Sequence, residues 1–412
     1  MKKIFYLLVI ALLLASVSLI TSCHRDHHLP HPGHGDTTVT TPCTQGFPTL
    51  VWVKPLTDST ANTGEAADIT VGSDKNLLIS GFFNGTGDFN PGTAVLNLTA
   101  PSANAPYQQH FDVTGKFLTA NVVSTAGIPP LPAGSVKRLR DAAGNYYTFG
   151  SFAGTYDFDP GAGVFTLTYN GPADEVGGAY YIQKLDASGN FKWAVLTGII
   201  LTADYTSNAF DIDANGAVYA GGYMPVEEPD AGQGIVKFDS NGALVWRKGT
   251  ETANDMDLLT DSKKNVYTVS YNYLSGQPHA LVKYDSNGNQ VSKTNLALGG
   301  TLLTANLKLQ ADAFDNIYVG GSISTDFFVE KHDPSNQIVW TIRSHGVLNP
   351  GENPLRSRNE LTSLAIDAAG ENIYLIGIYY GTVNFNPGSG SNTLTMPFPE
   401  GRYFIARYAQ CH

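Results

Sequence analysis

The chain of 412 residues has few charged side chains, few basic ones in particular, and none of the common catalytic motifs. Its 25 Lys and Arg residues stand against 36 Asp and Glu residues. A nucleic-acid-binding surface needs basic patches that neutralise phosphates, so this deficit argues against DNA or RNA as a partner. The sequence has no Gly-x-Ser-x-Gly elbow, no His-Glu-x-x-His helix, no phosphate-cradling loop and no long stretch of helical periodicity. The abundant Gly, Asn, Thr and Tyr instead predict short strands joined by tight turns.

An apolar run long enough to cross a bilayer comfortably is also lacking. The longest run, residues 4–19, has 16 residues, where a spanning helix needs roughly 20. It follows Lys2 and Lys3 and precedes Ser22 and Cys23, which is the arrangement of an export signal. The Ser22-Cys23 junction resembles the lipobox of bacterial lipoproteins, in which the Cys is lipidated and becomes the mature N-terminus. The alternatives are an uncleaved anchor or an ordinary secretory signal, and each places the domain outside the cytoplasm.

Three segments follow from this reading: a signal peptide at 1–22, a lipidated tether at 23–48 and a β domain at 49–412. Removal of the signal takes away two lysines and no acid, which leaves 23 basic against 36 acidic residues and a net charge of −13. The tether is rich in His, Thr and Pro and cannot bury a core. Its histidines form either a polar spacer or an adventitious metal site. We expect a monomer held by lipid alone at the cell envelope, on the outer membrane, facing the periplasm or the surface.

From residue 49 onward the sequence repeats, and the repeat determines the predicted fold. Each unit has a strand ending near an Asp, a tight turn, and a second strand with a Tyr. A third strand closes with Lys-x-Asp, and a fourth strand often carries a Trp. Asn-Gly and Gly-Asn pairs reach positive φ easily, so they join adjacent antiparallel strands. Four strands per unit predict the blades of a β-propeller. The second strands are marked by Leu78, Tyr147, Tyr219, Tyr267, Tyr318 and Tyr374.

The tryptophans predict how the ring of blades closes. Trp193, Trp246 and Trp340 stand on the fourth strands of their repeats. Trp52 precedes the first repeat, and the last repeat ends at Tyr408 without a fourth strand. The simplest account pairs residues 50–55 with residues 402–408 as the outer strand of the last blade, which removes a sheet edge. We therefore predict an all-β, closed β-propeller of six four-stranded blades, with an N-terminal strand that completes the last blade.

The cysteines fit the same closure. Cys43 just precedes the first of the paired segments, and Cys411 just follows the second. An antiparallel pairing brings these two ends together. A disulfide between Cys43 and Cys411 would then lock the ring by closing a long loop. The alternative is two free thiols.

The repeats resemble the bacterial SBBP-type β-propeller repeat over roughly residues 50–410. The motifs that carry the resemblance are the Asp-Ala-Ala-Gly-Asn-Tyr-Tyr-Thr-Phe-Gly stretch from Asp141 and the Gly-Thr-x-Asp-Phe-Asp-Pro-Gly segment at 154–161. The resemblance implies an exported or surface protein of propeller fold and implies no particular reaction. The fourth copy departs most, with Ser270 in place of the Gly and Ser292 in place of the Trp.

Copies one, two and six carry an insertion between the second and third strands, at residues 85–92, 154–161 and 381–388. Asp157 and Asp159 stand two apart before a Gly and could place hard oxygen ligands for Ca²⁺. The other two copies have Asp88 with Asn90 and Asn384 with Asn386 at these positions. A structural Asx-Pro-Gly turn explains all three copies, so we favour it and predict no other cofactor.

The insertions fall in blades that neighbour each other around a closed ring, on the face that also holds the connections between blades. We expect this raised sector to border a cleft for a ligand, because a purely structural ring would not be asymmetric. Aromatic rings with Asx side chains suit carbohydrate, although the tyrosines could instead pack between blades. The candidate ligand contacts are Tyr156, Asp157, Arg356, Arg358, Glu360, Tyr379 and Tyr380.

Two functions from different classes remain open at this point. The first is a non-catalytic binding module of the cell envelope that engages glycan or another envelope protein through its loop-rich face. The second is a hydrolase or lyase acting on polysaccharide, with its site over the central channel. An enzyme needs two carboxylates, or an acid and a base, converging within several Å over the channel mouth. We predict no catalytic residue from the motifs themselves, since the repeated Asp and Lys belong to the scaffold.

Overall fold

The computed structural model describes residues 47–56, 65–124, 132, 134–171, 178–201, 209–225, 232–250, 257–270, 279–298, 307–323, 326–347, 359–386, 390–396 and 401–410. The regular structure within these ranges consists of β-strands alone. Over the same ranges, no helix is long and apolar enough to pass through a membrane. Cys23, Cys43 and Cys411 lie outside them, so the lipidation and the disulfide stay predictions.

The described part of the chain forms thirty-one strands. In chain order they are β1 (Thr49–Pro55), β2 (Glu65–Val71), β3 (Leu77–Phe83), β4 (Thr86–Asp88), β5 (Asn97–Thr99), β6 (Ala105–Phe111), β7 (Phe117–Val122), β8 (Ser135–Arg140), β9 (Tyr146–Phe152), β10 (Gly154–Asp157), β11 (Thr166–Tyr169), β12 (Ala179–Leu185), β13 (Phe191–Ile200), β14 (Phe210–Ile212), β15 (Val218–Met224), β16 (Gly232–Phe238), β17 (Leu244–Gly249), β18 (Asp257–Thr260), β19 (Val266–Ser270), β20 (Ala280–Tyr284), β21 (Gln290–Asn295), β22 (Lys308–Ala311), β23 (Ile317–Ile323), β24 (Asp326–His332), β25 (Ile338–Arg343), β26 (His345–Val347), β27 (Glu360–Ile366), β28 (Asn372–Tyr379), β29 (Gly381–Asn384), β30 (Thr393–Met396) and β31 (Arg402–Ala409).

These strands build six four-stranded antiparallel sheets within the described ranges. From the inner to the outer strand they are sheet 1 (β2-β3-β6-β7), sheet 2 (β8-β9-β12-β13), sheet 3 (β14-β15-β16-β17), sheet 4 (β18-β19-β20-β21), sheet 5 (β22-β23-β24-β25) and sheet 6 (β27-β28-β31-β1). Inner strands contact each other in succession: β8 with β14, β14 with β18, β18 with β22, β22 with β27, and β27 with β2. The molecule thus has an all-β, propeller-like fold.

A hydrogen-bonded Asp explains why the first turn of each repeat keeps its sequence. In sheet 2, Asp141 accepts bonds at one oxygen from the backbone N–H of Asn145 (2.9 Å) and at the other from the side chains of Asn145 (2.8 Å) and Tyr147 (3.2 Å). Asx side chains that bond their own backbone in this way set turn geometry. The same Asp–Tyr bond recurs at Asp213–Tyr219, Asp261–Tyr267 and Asp312–Tyr318.

A second repeated contact joins several pairs of neighbouring sheets, and we call it the tryptophan–turn contact. Trp193 of sheet 2 donates its indole N–H to the carbonyl of Ser240 in sheet 3 (3.0 Å), and Lys184 donates to the same oxygen (3.1 Å). The indole lies on Gly242, where an added Cβ would come within 2.9 Å of the ring and where φ is +83°. Glycine is therefore the residue that fits. Trp246 and Lys237 repeat the contact on Ser286 of sheet 4.

The first strand of the domain belongs to the last sheet. β1 pairs antiparallel with β31, with Thr49 opposite Ala409 and Pro55 opposite Phe404. This is the pairing that the tryptophan positions predict. Sheet 6 also makes the tryptophan–turn contact on sheet 1, because Trp52 donates its indole N–H to the carbonyl of Val113 (3.4 Å), Arg407 donates to the same oxygen (3.0 Å), and the indole covers Gly115. Sheets 6 and 1 therefore meet through the same contacts as sheets that are consecutive in the chain.

Candidate functional site

The three insertions form β-hairpins that stand at one end of sheets 1, 2 and 6. They consist of β4 with β5, β10 with β11, and β29 with β30. β26, which follows sheet 5, adds to the third hairpin by pairing with β29. Each hairpin has a cross-strand pair of threonine hydroxyls at equivalent places. These pairs are Thr86–Thr99, Thr155–Thr168 and Thr382–Thr395, at 2.9, 2.9 and 3.1 Å.

The Asx side chains of these hairpins cap backbone N–H groups. Asp157 accepts from the N–H of Asp159 (3.0 Å) and of Phe165 (2.9 Å) through one oxygen. Asn384 accepts the equivalent two bonds through its amide oxygen, so the turn does not need a carboxylate. In the described ranges no group of three or more His, Cys, Asp and Glu side chains gathers around a common point. The geometry thus accounts for Asp157 and Asp159 as parts of a turn, and Ca²⁺ binding stays a prediction.

A buried phenylalanine fixes each hairpin to its sheet. Phe158 is 1 % exposed and packs against Phe152 and Tyr181, with ring centroids 5.1 and 4.5 Å away. Its carbonyl accepts a hydrogen bond from the amide of Gln183 (2.6 Å). Phe89 and Phe385 occupy the equivalent places and are fully buried. The hairpins therefore stand in a fixed orientation on the sheets.

The candidate ligand contacts fall into four groups, of which the last, Glu360 with Tyr380, is described separately below. Tyr156 is half-buried against Phe158, at 5.0 Å between ring centroids, and Asp157 beside it is exposed. Tyr379 is only 1 % exposed and packs on Phe385 and Phe404, so its ring is part of the core and we leave it out of the site. Arg356 and Arg358 lie outside the described residues and stay predictions.

Glu360 and Tyr380 lie close together at the hairpin end of sheet 6. Both are half-buried, and Glu360 is the first residue of the inner strand. Burial raises the pKa of the Tyr380 hydroxyl, and the negative charge of Glu360 raises it further. The backbone N–H of Tyr380 is held by the side chain of Asn359 (2.8 Å). This pair is the part of the predicted site that the structure brings together.

The inner strands hold a set of polar residues that the sequence analysis missed. On each second strand, one residue stands two positions after the repeated Tyr, or after Leu78 in sheet 1. The inner-strand residue that pairs with it defines one equivalent position in the six sheets. It should be apolar in a purely structural ring, yet its occupant changes from sheet to sheet. From sheet 1 to sheet 6 the occupants are Asp68, Lys137, Ala209, Asp257, Lys308 and Ser363.

The carboxylates of the inner strands bond to neighbouring sheets. Asp68 of sheet 1 accepts from the hydroxyl of Ser363 in sheet 6 (2.6 Å). Asp211 of sheet 3 accepts from the N–H and the hydroxyl of Thr260 in sheet 4, both at 2.7 Å. Asp257 of sheet 4 accepts from the N–H of Leu309 in sheet 5 (2.9 Å). We call Asp68, Lys137, Asp211, Asp257, Lys308 and Ser363 the central cluster.

Burial and two lysines set the ionisation of this cluster. Burial raises the pKa of Asp68, and the bond from Ser363 with the charges of Lys308 and Lys137 counteracts that rise in part. Burial likewise raises the pKa of Asp211, against the charge of Lys137 and the bonds from Thr260. Lys137 thus acts on both carboxyl groups. Carboxyls with raised pKa beside an ammonium can bind a polar ligand or donate a proton to it.

Part of the central cluster lies towards the same end of the sheets as the hairpins, whereas Asp211 lies next to the first turn of sheet 3, towards the other end. Asp257 and Lys308 are the first residues of their inner strands, and inner strands begin where second strands end. Each hairpin also follows the end of a second strand. The hairpins of sheets 6, 1 and 2 therefore stand on the side of the molecule where Asp257 and Lys308 are placed.

Comparison with known proteins bears on the fold alone. No protein-family model matches the chain, and no curated protein matches it. A crystal structure of a protein of unknown function from Dyadobacter fermentans is similar, with a TM-score of 0.50 and 8 % identity, over 88 % of this chain and 99 % of that chain. A gluconolactonase from Xanthomonas campestris has a TM-score of 0.40 and 11 % identity, over 90 % of this chain and 99 % of that chain. At these values the activity of the second protein is not carried over.

Proposed function

We propose that the six sheets are the blades of one closed β-propeller. The support is the pairing of β1 with β31 and the repetition of the tryptophan–turn contact between sheets 6 and 1. Closure of this kind leaves no unpaired sheet edge between the first and last blades. The inner strands would then surround a central channel, with the central cluster near its mouth.

We also propose that the protein is an exported, lipid-anchored binding protein of the cell envelope, whose ligand sits on the central cluster. The carrying observation is that the aligned inner-strand position holds Asp, Lys, Ala, Asp, Lys and Ser in the six sheets. A scaffold made of repeats favours the same residue at the same place. Half-buried charges that do not repeat cost stability, so their presence is better explained by a ligand.

The proposed ligand is a glycan or a polar loop of an envelope protein. The cluster offers carboxylates, ammonium groups and hydroxyls, which together suit a ligand rich in hydroxyl groups. The hairpins of sheets 6, 1 and 2 would wall the site on one side only. Glu360 and Tyr380 stand at the foot of that wall and could contact the same ligand.

A glycan-array screen of the full chain, with and without Ca²⁺, tests this proposal. We expect selective binding that Lys137→Met and Asp68→Asn each weaken at least about tenfold, because both residues bear charge at the site. Lys116→Val removes an exposed lysine from a turn of sheet 1 and is the control. A glycan that binds Lys137→Met and Asp68→Asn as tightly as the unaltered chain would place the ligand elsewhere. If no glycan binds, the protein-partner form of the proposal remains, and capture of an envelope protein that Lys137→Met abolishes would support it.

The second candidate is a polysaccharide hydrolase or lyase acting at the same cluster. The observation in its favour is that Asp68 and Asp211, both with raised pKa, lie within the influence of one lysine. Glycosidases use a pair of carboxyl groups for the acid and base roles, and a raised pKa is what the acid of such a pair requires. Release of reducing ends from envelope polysaccharides, abolished by Asp68→Asn and by Asp211→Asn, would favour this function over binding alone.

A further inference from the structure

A separate cleft opens between sheets 2 and 3, at the other end of the sheets from the hairpins. It has a volume of about 400 Å³ and is lined by Asn145, Lys184, Lys192, Trp193, Ser240 and Asn241. Asn145 belongs to the first turn of sheet 2, and Ser240 and Asn241 belong to the last turn of sheet 3. These turns lie at the ends of the strands that face away from the hairpins. The cleft therefore shares no residue with the central cluster.

Lys192 distinguishes this cleft from the other places where two sheets meet. It occupies the fourth-strand position directly before the repeated Trp. In the other five sheets that position holds an aliphatic residue that is between 42 % and 58 % exposed, whereas the side chain of Lys192 is 48 % exposed. The aliphatic occupants are Val51, Leu118, Val245, Val291 and Val339. A charge at a place that is otherwise aliphatic has no evident role in the scaffold.

Two ammonium groups act on this cleft. Lys192 lies 3.0 Å from the carboxylate of Asp186 in an exposed ion pair. Lys184 is fixed above the ring of Tyr147, 4.8 Å from its centroid, and donates to the carbonyl of Ser240. Burial lowers the pKa of Lys184, and the positive charge of Lys192 lowers it further although Asp141 opposes this. The two cations are thus near enough to repel, and an anion between them would relieve the repulsion.

The remaining lining groups suit a sugar ring. Trp193 is half-buried, with its N–H engaged by Ser240 and part of its apolar indole left accessible in the cleft. Asn241 is exposed, and among the described residues its side-chain amide has no hydrogen-bond partner. The indole offers an apolar surface for the sugar ring, the amide can bond to a hydroxyl group, and the two ammonium groups can bind a carboxylate.

We propose that the cleft between sheets 2 and 3 binds the uronate units of an acidic polysaccharide. The sugar ring lies against Trp193, its carboxylate faces Lys192 and Lys184, and a hydroxyl bonds to Asn241. The site is independent of the central cluster, so either can exist without the other. Two sites at opposite ends of the sheets would allow the protein to hold a polysaccharide while it engages a second ligand.

The test uses the full chain, trigalacturonate and the methyl ester of the same trisaccharide, in calorimetric titrations. We expect trigalacturonate to bind and the ester, which lacks the carboxylates, to bind at least about tenfold more weakly. Lys192→Val gives sheet 2 the residue that four of the other five sheets have at this position, and it should weaken binding by about tenfold or more. The control Lys116→Val removes the same charge elsewhere and should leave the affinity within about twofold. Binding should also weaken as NaCl is raised, because the ion pair is exposed.

Three results would overturn the inference: absence of trigalacturonate binding, equal binding by the ester, and unchanged affinity in Lys192→Val. Loss of trigalacturonate binding in Lys137→Met would also overturn it, since that result assigns the uronate to the central cluster. The indole N–H resonance of Trp193, one of four tryptophans in the chain, supplies a second readout. It should shift on titration with trigalacturonate, whereas that of Trp246 in the neighbouring sheet should not.

Discussion

Asp211 and Asp213 lie two residues apart at the end of one inner strand, but Asp211 bonds to the next sheet and Asp213 bonds within its own repeat. Asp213 is the turn aspartate of its repeat, and it accepts bonds from the N–H groups of Asn215 (2.9 Å) and Ala217 (3.0 Å) and from the hydroxyl of Tyr219 (3.2 Å). Asp211 has no counterpart of its kind in the other sheets, and burial raises its pKa. The comparison separates aspartates at repeated positions, which hold the turns, from those at unrepeated positions, which on the function proposed above contact the ligand.

The largest effect should come from removing a repeated aspartate. Asp213→Ala leaves two backbone N–H groups and the Tyr219 hydroxyl without their acceptor in a turn where Asp213 is 5 % exposed. We expect it to lower the free energy of unfolding by about 2–4 kcal/mol. Asp211→Asn, which keeps an acceptor for Thr260, should change that free energy by less than about 1 kcal/mol at neutral pH. Urea unfolding of both variants checks this, and equal losses would remove the distinction between the two kinds of aspartate.

A smaller effect should come from Ser292 and Asn336, an unrepeated pair that joins sheets 4 and 5. Sheet 4 has Ser292 in the Trp position, and sheet 5 has Asn336 where Gly242 and Gly288 stand in sheets 3 and 4. The amide of Asn336 fills the space by donating to Ser292 (3.1 Å) and to the carbonyl of Leu281 (3.0 Å). Ser292→Trp alone should destabilise the protein by about 1–3 kcal/mol, because the indole meets the Asn336 side chain.

Adding Asn336→Gly to Ser292→Trp should recover most of that loss, since it restores the tryptophan–turn contact. The quantity to measure is the coupling free energy of the double-mutant cycle, and we expect it to exceed about 1 kcal/mol. Asn336→Gly alone should be destabilising, because it removes both bonds of the amide. Additive effects would mean that Ser292 and Asn336 do not interact energetically. The pair would then not be a structural contact between residues at unrepeated positions.

The fold was largely predictable because each feature of the repeat has one physical cause. The Asp–Tyr hydrogen bond requires an Asp and a Tyr at fixed positions around the first turn, and the indole that packs on a turn glycine requires a Trp and a Gly. Both patterns can therefore be recognised in the sequence. The pairing of β1 with β31 followed from the position of Trp52. Tyr379 shows where such reasoning fails, since an aromatic residue at a strand end has the same pattern whether its ring faces solvent or the core.

The central cluster escaped the sequence analysis for a different reason. Its residues alternate with apolar ones along short inner strands, as polar residues do on any half-exposed strand. Aligning the inner strands on the repeated second-strand residue would have revealed the position, because Asp68, Lys137 and Lys308 stand ten residues before Leu78, Tyr147 and Tyr318 respectively. The influence of Lys137 on Asp68 and Asp211 acts between different sheets and could not be read from spacing alone.

The pH dependence of stability offers a third test of the comparison. The pKa of Asp211 is raised in the folded state above its unfolded value of 3.8. Its contribution to stability is therefore complete below about pH 4 and is lost as the pH rises through the folded pKa. Each unit by which the pKa is raised corresponds to about 1.4 kcal/mol. Unfolding free energies from pH 3 to 8 should fall less steeply with pH in Asp211→Asn than in the unaltered chain, and parallel curves would show that Asp211 is not desolvated.

The smallest effect on stability should come from Lys192→Val. The lysine is half-exposed, its ion pair with Asp186 is at the surface, and five other sheets hold an aliphatic residue at that place. Exposed ion pairs contribute little, so the free energy of unfolding should change by less than about 0.5 kcal/mol. If Lys192→Val also loses trigalacturonate binding, the lysine contributes to binding and not to stability. That result is the one we expect of a charge at an unrepeated position. A loss of more than about 1 kcal/mol would instead show that Lys192 stabilises the fold. The distinction between repeated and unrepeated charges would then not hold at this position.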